Sequence, residues 1–135
     1  MKIKCLRQSD SGQSMVEFAL VLPFLMLILC LIIDFGWVFS KQNELTSVAG
    51  ATARYVSINY AEHTDDLSSC ARTYAEANPF AGTLTGVDAS TDASKTYVKV
   101  TLTEDVPYLT GFTGVFTGRN YISLHATAAM PITSN

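Results

Sequence analysis

The hydrophobic pattern divides the chain into one long apolar run, an amphipathic stretch and a mixed remainder. The apolar run extends from Phe18 to Ile33 without a charge, and the largely apolar segment 34–39 prolongs it. Because apolar side chains would lie all round such a helix, water cannot solvate its surface. A helix from Val16 to Ser40 would be about 37 Å long, enough to cross a bilayer core of roughly 30 Å. The run therefore predicts a helix that spans a membrane, packs among like helices in an assembly, or does both at different times.

The helical pattern continues after this run, but its apolar positions then fall on one face. No proline or loop cluster separates residues 41–60 from the apolar run, so we expect one continuous helix. Its second half carries a core-facing stripe of apolar and small residues: Leu45, Val48, Ala49, Thr52, Tyr55 and Val56. Pro23 and Gly36 are the predicted weak points of this helix, because proline removes a backbone donor and glycine lowers helix stability.

The rest of the chain predicts a short helix and a small sheet. Acids at Asp65 and Asp66 are typical of a helix start, and Pro79 requires that helix to end by Asn78. Residues 83–87 predict a weak strand, followed by a loop over residues 87–94. Alternating apolar residues then predict strands over 97–103 and 121–130, separated by a loop rich in glycine and threonine.

A sheet with one apolar face needs a cover, and the stripe of the long helix can supply it. The predicted fold class is therefore α+β, with a long N-terminal helix, a second short helix and a small antiparallel sheet. The predicted organisation is a basic leader over residues 1–12, a transmembrane or assembly helix over 13–40, and an exported head over 41–135.

Two carboxylates interrupt the apolar helix and indicate where its ends lie. A charged carboxylate at the bilayer centre costs at least about 2.5 kcal/mol, so such residues lie near an interface or find partners. Glu17 and Asp34 are about 26 Å apart along a helix, which places them near opposite membrane boundaries. Trp37 fits the aromatic belt beside Asp34. Asp34 is equally well explained as a simple boundary residue without a partner.

The charges before the apolar run predict its orientation. Lys2, Lys4 and Arg7 outnumber Asp10, and this positive excess keeps the N-terminus cytoplasmic. The run is longer than the apolar core of a secretory signal, and no A-x-A-like cleavage site follows it. We therefore expect the helix to be retained, with the segment after Ser40 outside the cytoplasm.

A basic leader, Gly12, and Glu17 at the fifth position after it resemble the processing site of type IV pilin-like proteins. The order Gly12, Glu17-Phe18, Pro23, Asp34-Phe35-Gly36 and Ala53-Arg54-Tyr55 is similar to that of the TadE-like minor pilins, or pseudopilins, of tight-adherence (Flp-type) pilus systems. The resemblance covers about residues 11–60, and the C-terminal half is similar only in outline.

This resemblance implies cleavage between Gly12 and Gln13 by a membrane prepilin peptidase and insertion in the cytoplasmic membrane. The implied partners are other pilin and pseudopilin subunits, membrane lipid and, indirectly, the pilus assembly platform and its ATPase. Glu17 is expected to pair with the amine that cleavage would create on Gln13, within one helix or between subunits. An interfacial Glu17 without a partner is the alternative.

Other function classes find little support in the sequence. Net charge is −3, and the exported part is acidic without a basic cluster, so we expect no nucleic-acid partner. Cysteine and histidine lack zinc spacing, and no nucleophile motif or phosphate loop is present, so we expect no cofactor, no metal and no enzyme activity. Cys70, alone among cysteines in the exported part, is a buried thiol or an intermolecular bridge. A membrane-anchored binding module that never enters a fibre is the alternative function.

Overall fold

The computed structural model of the chain describes residues 10–62, 65–94 and 96–132. Its first element, helix α1, runs without a break over Asp10–Ile58, which corresponds to about 73 Å at 1.5 Å per residue. Pro23 lies inside this helix. The prediction of one continuous helix is confirmed. The basic leader before Asp10 lies outside the described residues.

Two parts of α1 differ completely in their surroundings. In the lower half, residues 12–33, the side chains are exposed apart from the half-buried Leu27 and Cys30. The upper half, residues 45–57, lies across a sheet and buries one stripe completely. That stripe contains Leu45, Val48, Ala49, Thr52, Ala53, Val56 and Ser57.

Tyr55 is the one member of the predicted stripe that does not face the core. Its side chain is partly exposed and stacks on Tyr74 of the second helix, with 4.3 Å between ring centroids. Ala53 takes the buried position instead. The reason is geometric, because Tyr55 lies on the side of α1 that meets the second helix rather than the sheet.

The second helix, α2, extends over Leu67–Ala77 after a short 3₁₀ turn at Tyr60–Glu62. Asp66 caps it by accepting a hydrogen bond from the Ser69 backbone N–H at 3.1 Å, and Asn78 ends it, as predicted. Cys70 is buried on its inner face, where burial and the nearby Asp66 charge raise the pKa of the thiol.

Three antiparallel strands follow in the order β1-β2-β3, which confirms the α+β class with a small antiparallel sheet. They are β1 at Leu84–Thr91, β2 at Tyr97–Pro107 and β3 at Tyr121–Pro131. One face of β2 and β3 packs on α1, and α2 covers β1. The predicted inward residues of β2 are fully buried, and those of β3 are buried or half-buried.

The strands are longer than the sequence predicted. The segment 87–91 was expected to be a loop, but it continues β1, because it pairs with β2 up to Thr91 opposite Val98 and buries Ala89 near α2. Strand β2 continues past Thr103 to Pro107, so that Glu104 and Val106 also face inward. Long-range pairing outweighs the weak strand propensity of Asp, Ala, Ser and Thr here.

Candidate functional site

The segment that connects β2 to β3 contains a short helix, α3, over Phe112–Thr117, where the sequence predicted only a loop. Its two ends are glycines in the left-handed conformation, Gly111 and Gly118, each with φ of 69°. A side chain would be strained at either position. The Gly118 backbone N–H closes the helix by donating to the Gly114 carbonyl at 2.9 Å.

This short helix brings two threonines onto Asp34 of α1. The Thr110 backbone N–H donates to Asp34 Oδ1 at 2.7 Å. The hydroxyls of Thr110 and Thr113 both donate to Asp34 Oδ2 at 2.5 Å. We call this group of three residues the Asp34 clamp.

The clamp removes Asp34 almost completely from solvent, since only 2% of the residue is exposed. Burying a carboxylate is costly unless donors replace the water it loses, and hydrogen bonds to a charged acceptor are the strong ones. Three donors from the head meet that need. The clamp thus attaches the head to α1 below its hydrophobic core. Asp34 therefore has hydrogen-bond partners within the chain.

A second polar group lies one to two turns above the clamp. The Lys41 ammonium lies 5.2 Å from the Trp37 ring centroid and 2.6 Å from a Glu44 carboxylate oxygen. Trp37 is partly exposed. An amphipathic ring beside the first cation after the apolar run is the arrangement favoured at a membrane–water interface, so the position of Trp37 at a membrane boundary stays a prediction.

The predicted processing residues lie at the other end of α1. The helix begins at Asp10, so Gly12 and Gln13 occupy its first turn. Glu17 is exposed, and one of its carboxylate oxygens lies 3.5 Å from the Gln13 side-chain amide nitrogen, which donates to it. A Cβ on Gly12 would meet nothing within 4 Å. Packing within the chain therefore does not require glycine at this position.

The histidines and acids offer no catalytic or metal-binding arrangement in the described part of the chain. His125 lies on the exposed sheet face, with its Nδ1 3.0 Å from the Thr103 hydroxyl. His63 lies outside the described residues. No group of three or more histidine, cysteine or acidic side chains there could hold a metal ion.

Sequence reasoning identified Asp34 but missed its partners. Thr110 is 76 positions away, in a segment that carries no pattern pointing to a carboxylate. The one available signal was a threonine pair at i, i+3 in a glycine-rich loop, which is common in ordinary turns.

The comparisons with known proteins agree with the N-terminal features. Among the described residues, one helix, α1, is long and apolar enough to cross a membrane. Curated proteins and solved structures give no significant match. Residues 12–54 match the family model described as TadE-like protein. That range contains Gly12, Glu17, the apolar run, Asp34 and most of the buried stripe, so this part of the chain is similar to the TadE-like family.

Proposed function

We propose that this chain is a minor pilin or pseudopilin, acting as a structural or assembly-priming subunit of a tight-adherence pilus. The observation that carries the proposal is the TadE-like match over residues 12–54, which spans the expected processing residues and the exposed apolar helix together. A helix with apolar side chains on every side is stable only in lipid or among similar helices. A subunit that moves from membrane to fibre meets both environments.

In this proposal the chain is a single-pass protein of the cytoplasmic membrane. The leader, residues 1–12, lies in the cytoplasm, residues 13–40 form the membrane and assembly helix, and the head lies outside. A prepilin peptidase cuts between Gly12 and Gln13. The absence of any contact within 4 Å of a Cβ at Gly12 supports a recognition role for this glycine over a packing role.

Cleavage would provide Glu17 with a charged partner. It creates a positive amine on Gln13, which would be costly among apolar helices without a carboxylate nearby. Gln13 and Glu17 already share one face of α1, as the 3.5 Å separation of their side chains indicates. The amine then pairs with Glu17 of its own helix or of an adjacent subunit, and the second pairing would also fix the axial offset between subunits.

The remaining partners follow from this role. Other pilin and pseudopilin subunits cover the exposed lower half of α1 in the fibre, and membrane lipid covers it beforehand. The assembly platform and its ATPase act on the inserted subunit indirectly. Catalysis has no part in the proposal.

N-terminal sequencing of the membrane-bound and pilus-associated chain tests the processing step. The expected new terminus is Gln13, and mature chain should appear in sheared pili. Gly12→Leu should block cleavage because a bulky side chain does not fit where the peptidase accepts glycine, whereas Gly12→Ala is the matched control that should be processed. An intact Met1 in pili, or a cut beyond Ser40, would refute the assignment.

Glu17→Gln tests assembly separately from processing. Membrane level and cleavage should stay close to those of the wild type, while the number of surface pili falls. Normal piliation by this variant would reduce Glu17 to a boundary residue. A mature chain that stays in the membrane and never enters sheared pili would favour a priming subunit, or a membrane-anchored binding module if pili also form without it.

A further inference from the structure

The segment between β2 and β3 has an exposed apolar surface that the proposed function leaves unexplained. Residues 108–118, which we call the boundary loop, contain no acidic or basic residue. Three of its large apolar side chains are exposed: Leu109 by 62%, Phe112 by 45% and Val115 by 78%. An uncharged loop that exposes three such side chains is unusual at a surface facing only water.

The Asp34 clamp places this loop beside the apolar helix rather than beside its charged continuation. Asp34 precedes Lys41 by seven positions, which is about 10 Å along the helix. Thr110 and Thr113 are held at the level of Asp34, directly against α1. Phe35 and Phe39 of α1 are themselves exposed near this level. The apolar surface of the loop is therefore continuous with that of the helix.

A groove between the loop and α1 extends the same surface. It has a volume of about 550 Å³, and Ile28, Leu31 and Phe35 line it on the helix side. Tyr108 and Ile122 line it on the head side. Ile28 and Leu31 belong to the lower half of α1, so the groove opens onto the surface that lipid is expected to cover.

We propose that the boundary loop inserts into the interface of the extracytoplasmic leaflet, with Leu109, Phe112 and Val115 among the acyl chains nearest the headgroups. An acyl chain of the same leaflet occupies the groove. Arg119 follows the loop directly and is exposed, as is Tyr121, and both residue types are favoured at headgroup level. The inference rests on the proposed membrane anchoring of α1. It adds a second membrane contact, made by the head.

This contact would fix the orientation of the head before assembly. A helix alone allows the head to tilt in any direction with the helix. A loop clamped to the helix and inserted beside it makes one side of the head face the lipid. The head then leaves the membrane only when the loop and the helix leave together.

Fluorescence quenching by brominated lipids tests the insertion in the full chain, reconstituted in vesicles of phosphatidylethanolamine and phosphatidylglycerol. The native Trp37 reports on the anchor. Val115→Trp in a Trp37→Phe background reports on the loop, and Leu109→Trp in the same background is a second probe. Lys99→Trp in that background is the matched control, because Lys99 is exposed on β2 away from α1.

Lipids brominated near the headgroups should quench the Val115→Trp variant about as much as wild-type Trp37, and several-fold more than the Lys99→Trp variant. If Trp37 is quenched while both loop variants resemble Lys99→Trp, the loop contact is refuted and the membrane anchor stands. If Trp37 itself is not quenched, the anchor proposal fails first.

A protein neighbour is the competing occupant, and dilution distinguishes it. Quenching by lipid should be the same at low and high protein-to-lipid ratio. Quenching that falls as the protein becomes more concentrated, with matching protection from a water-soluble quencher, would show that another subunit covers the loop. That result would overturn the lipid assignment.

Discussion

The lower and upper halves of α1 belong to one uninterrupted helix, yet they are built for different solvents. In the lower half no face is distinguished, and side chains such as Leu25 and Leu29 are exposed all round. In the upper half one stripe is buried against the sheet, while Thr46 and Arg54 face outward. The comparison shows that α1 is helical along its whole length although only its upper half is buried. Backbone hydrogen bonds continue through both halves, and only the side-chain pattern decides what each half must contact.

The Asp34 clamp lies between the two halves and belongs to both. It comes one residue after the apolar run, and it is closed by residues of the head. Changes in the upper half should therefore affect the head alone, changes in the lower half should affect membrane and fibre contacts alone, and changes at the clamp should affect how the two are joined.

The largest effect on the stability of the head is expected from placing a charge in the core beneath the upper half of α1. Leu124→Asp puts a carboxylate without a partner into the core between β3 and α1, where Leu124 is buried. The head should lose its cooperative thermal transition in detergent while the chain still inserts into membranes. Thr127→Asp, on the exposed face of the same strand, is the control and should melt close to the wild type. Equal damage from both substitutions would contradict the register of β3.

A smaller effect on the stability of the head is expected when a leucine is replaced by alanine in each half of α1. Leu45→Ala removes a fully buried side chain of the upper half and should lower the free energy of unfolding of the head by about 2–5 kcal/mol. Leu29→Ala, in the lower half, should leave that free energy nearly unchanged, because Leu29 is 52% exposed. Thermal melting followed by near-ultraviolet circular dichroism measures both. Similar losses at the two positions would remove the distinction between the halves.

Breaking the clamp should cost less than losing core packing. Asp34→Ala removes three hydrogen bonds, but it also removes a carboxylate whose burial opposes folding, so the net loss of stability should be smaller than that of Leu45→Ala. Since the core above it remains, the head should stay folded while the boundary loop opens. Hydrogen exchange at the Thr110 amide should then be faster than in the wild type, with exchange at Val100 in β2 unchanged. Slow exchange at Thr110 in the variant would show that Asp34 does not hold the loop.

The smallest effect concerns a buried acid of the head. Burial raises the pKa of Glu104 above its ordinary value of 4.5; the nearby Lys41 opposes this shift and Glu44 adds to it. The folded head therefore binds more protons than the unfolded chain between these two pKa values. Its stability should fall as pH rises through that window and be fully retained below it.

Glu104→Gln removes this titration, so the variant should be more stable than the wild type at pH 7 and no more stable below the window. Thermal melting across pH 4 to 8 measures the difference. Glu76→Gln, at an exposed acid of α2, should give no comparable gain at pH 7.

The sequence was sufficient to predict a helix or strand wherever its apolar residues followed a regular pattern. The all-round apolar run, the stripe from Leu45 to Val56 and the alternation in β2 and β3 each predicted their elements, because helix and strand periods are visible in a single chain. The N-terminal order Gly12, Glu17 and Asp34 was also sufficient to indicate similarity to the TadE-like family.

Failures occurred where the deciding contacts come from elsewhere in the chain. The end of β1 has weak strand residues and is a strand because β2 pairs with it. Helix α3 lies among glycines, and Thr110 becomes important only because the fold brings it to Asp34. Local propensity carries no information about such partners.

The Asp34 clamp also implies an order of events in folding. It joins positions 76 residues apart, so closing it costs chain entropy that local contacts do not. Helix α1 and the β2–β3 pair involve nearer residues and should form first. We therefore expect the clamp to close only after β2 and β3 have paired, at the stage when the sheet packs on the upper half of α1. Until then Asp34 lacks its three donors, and water must solvate it.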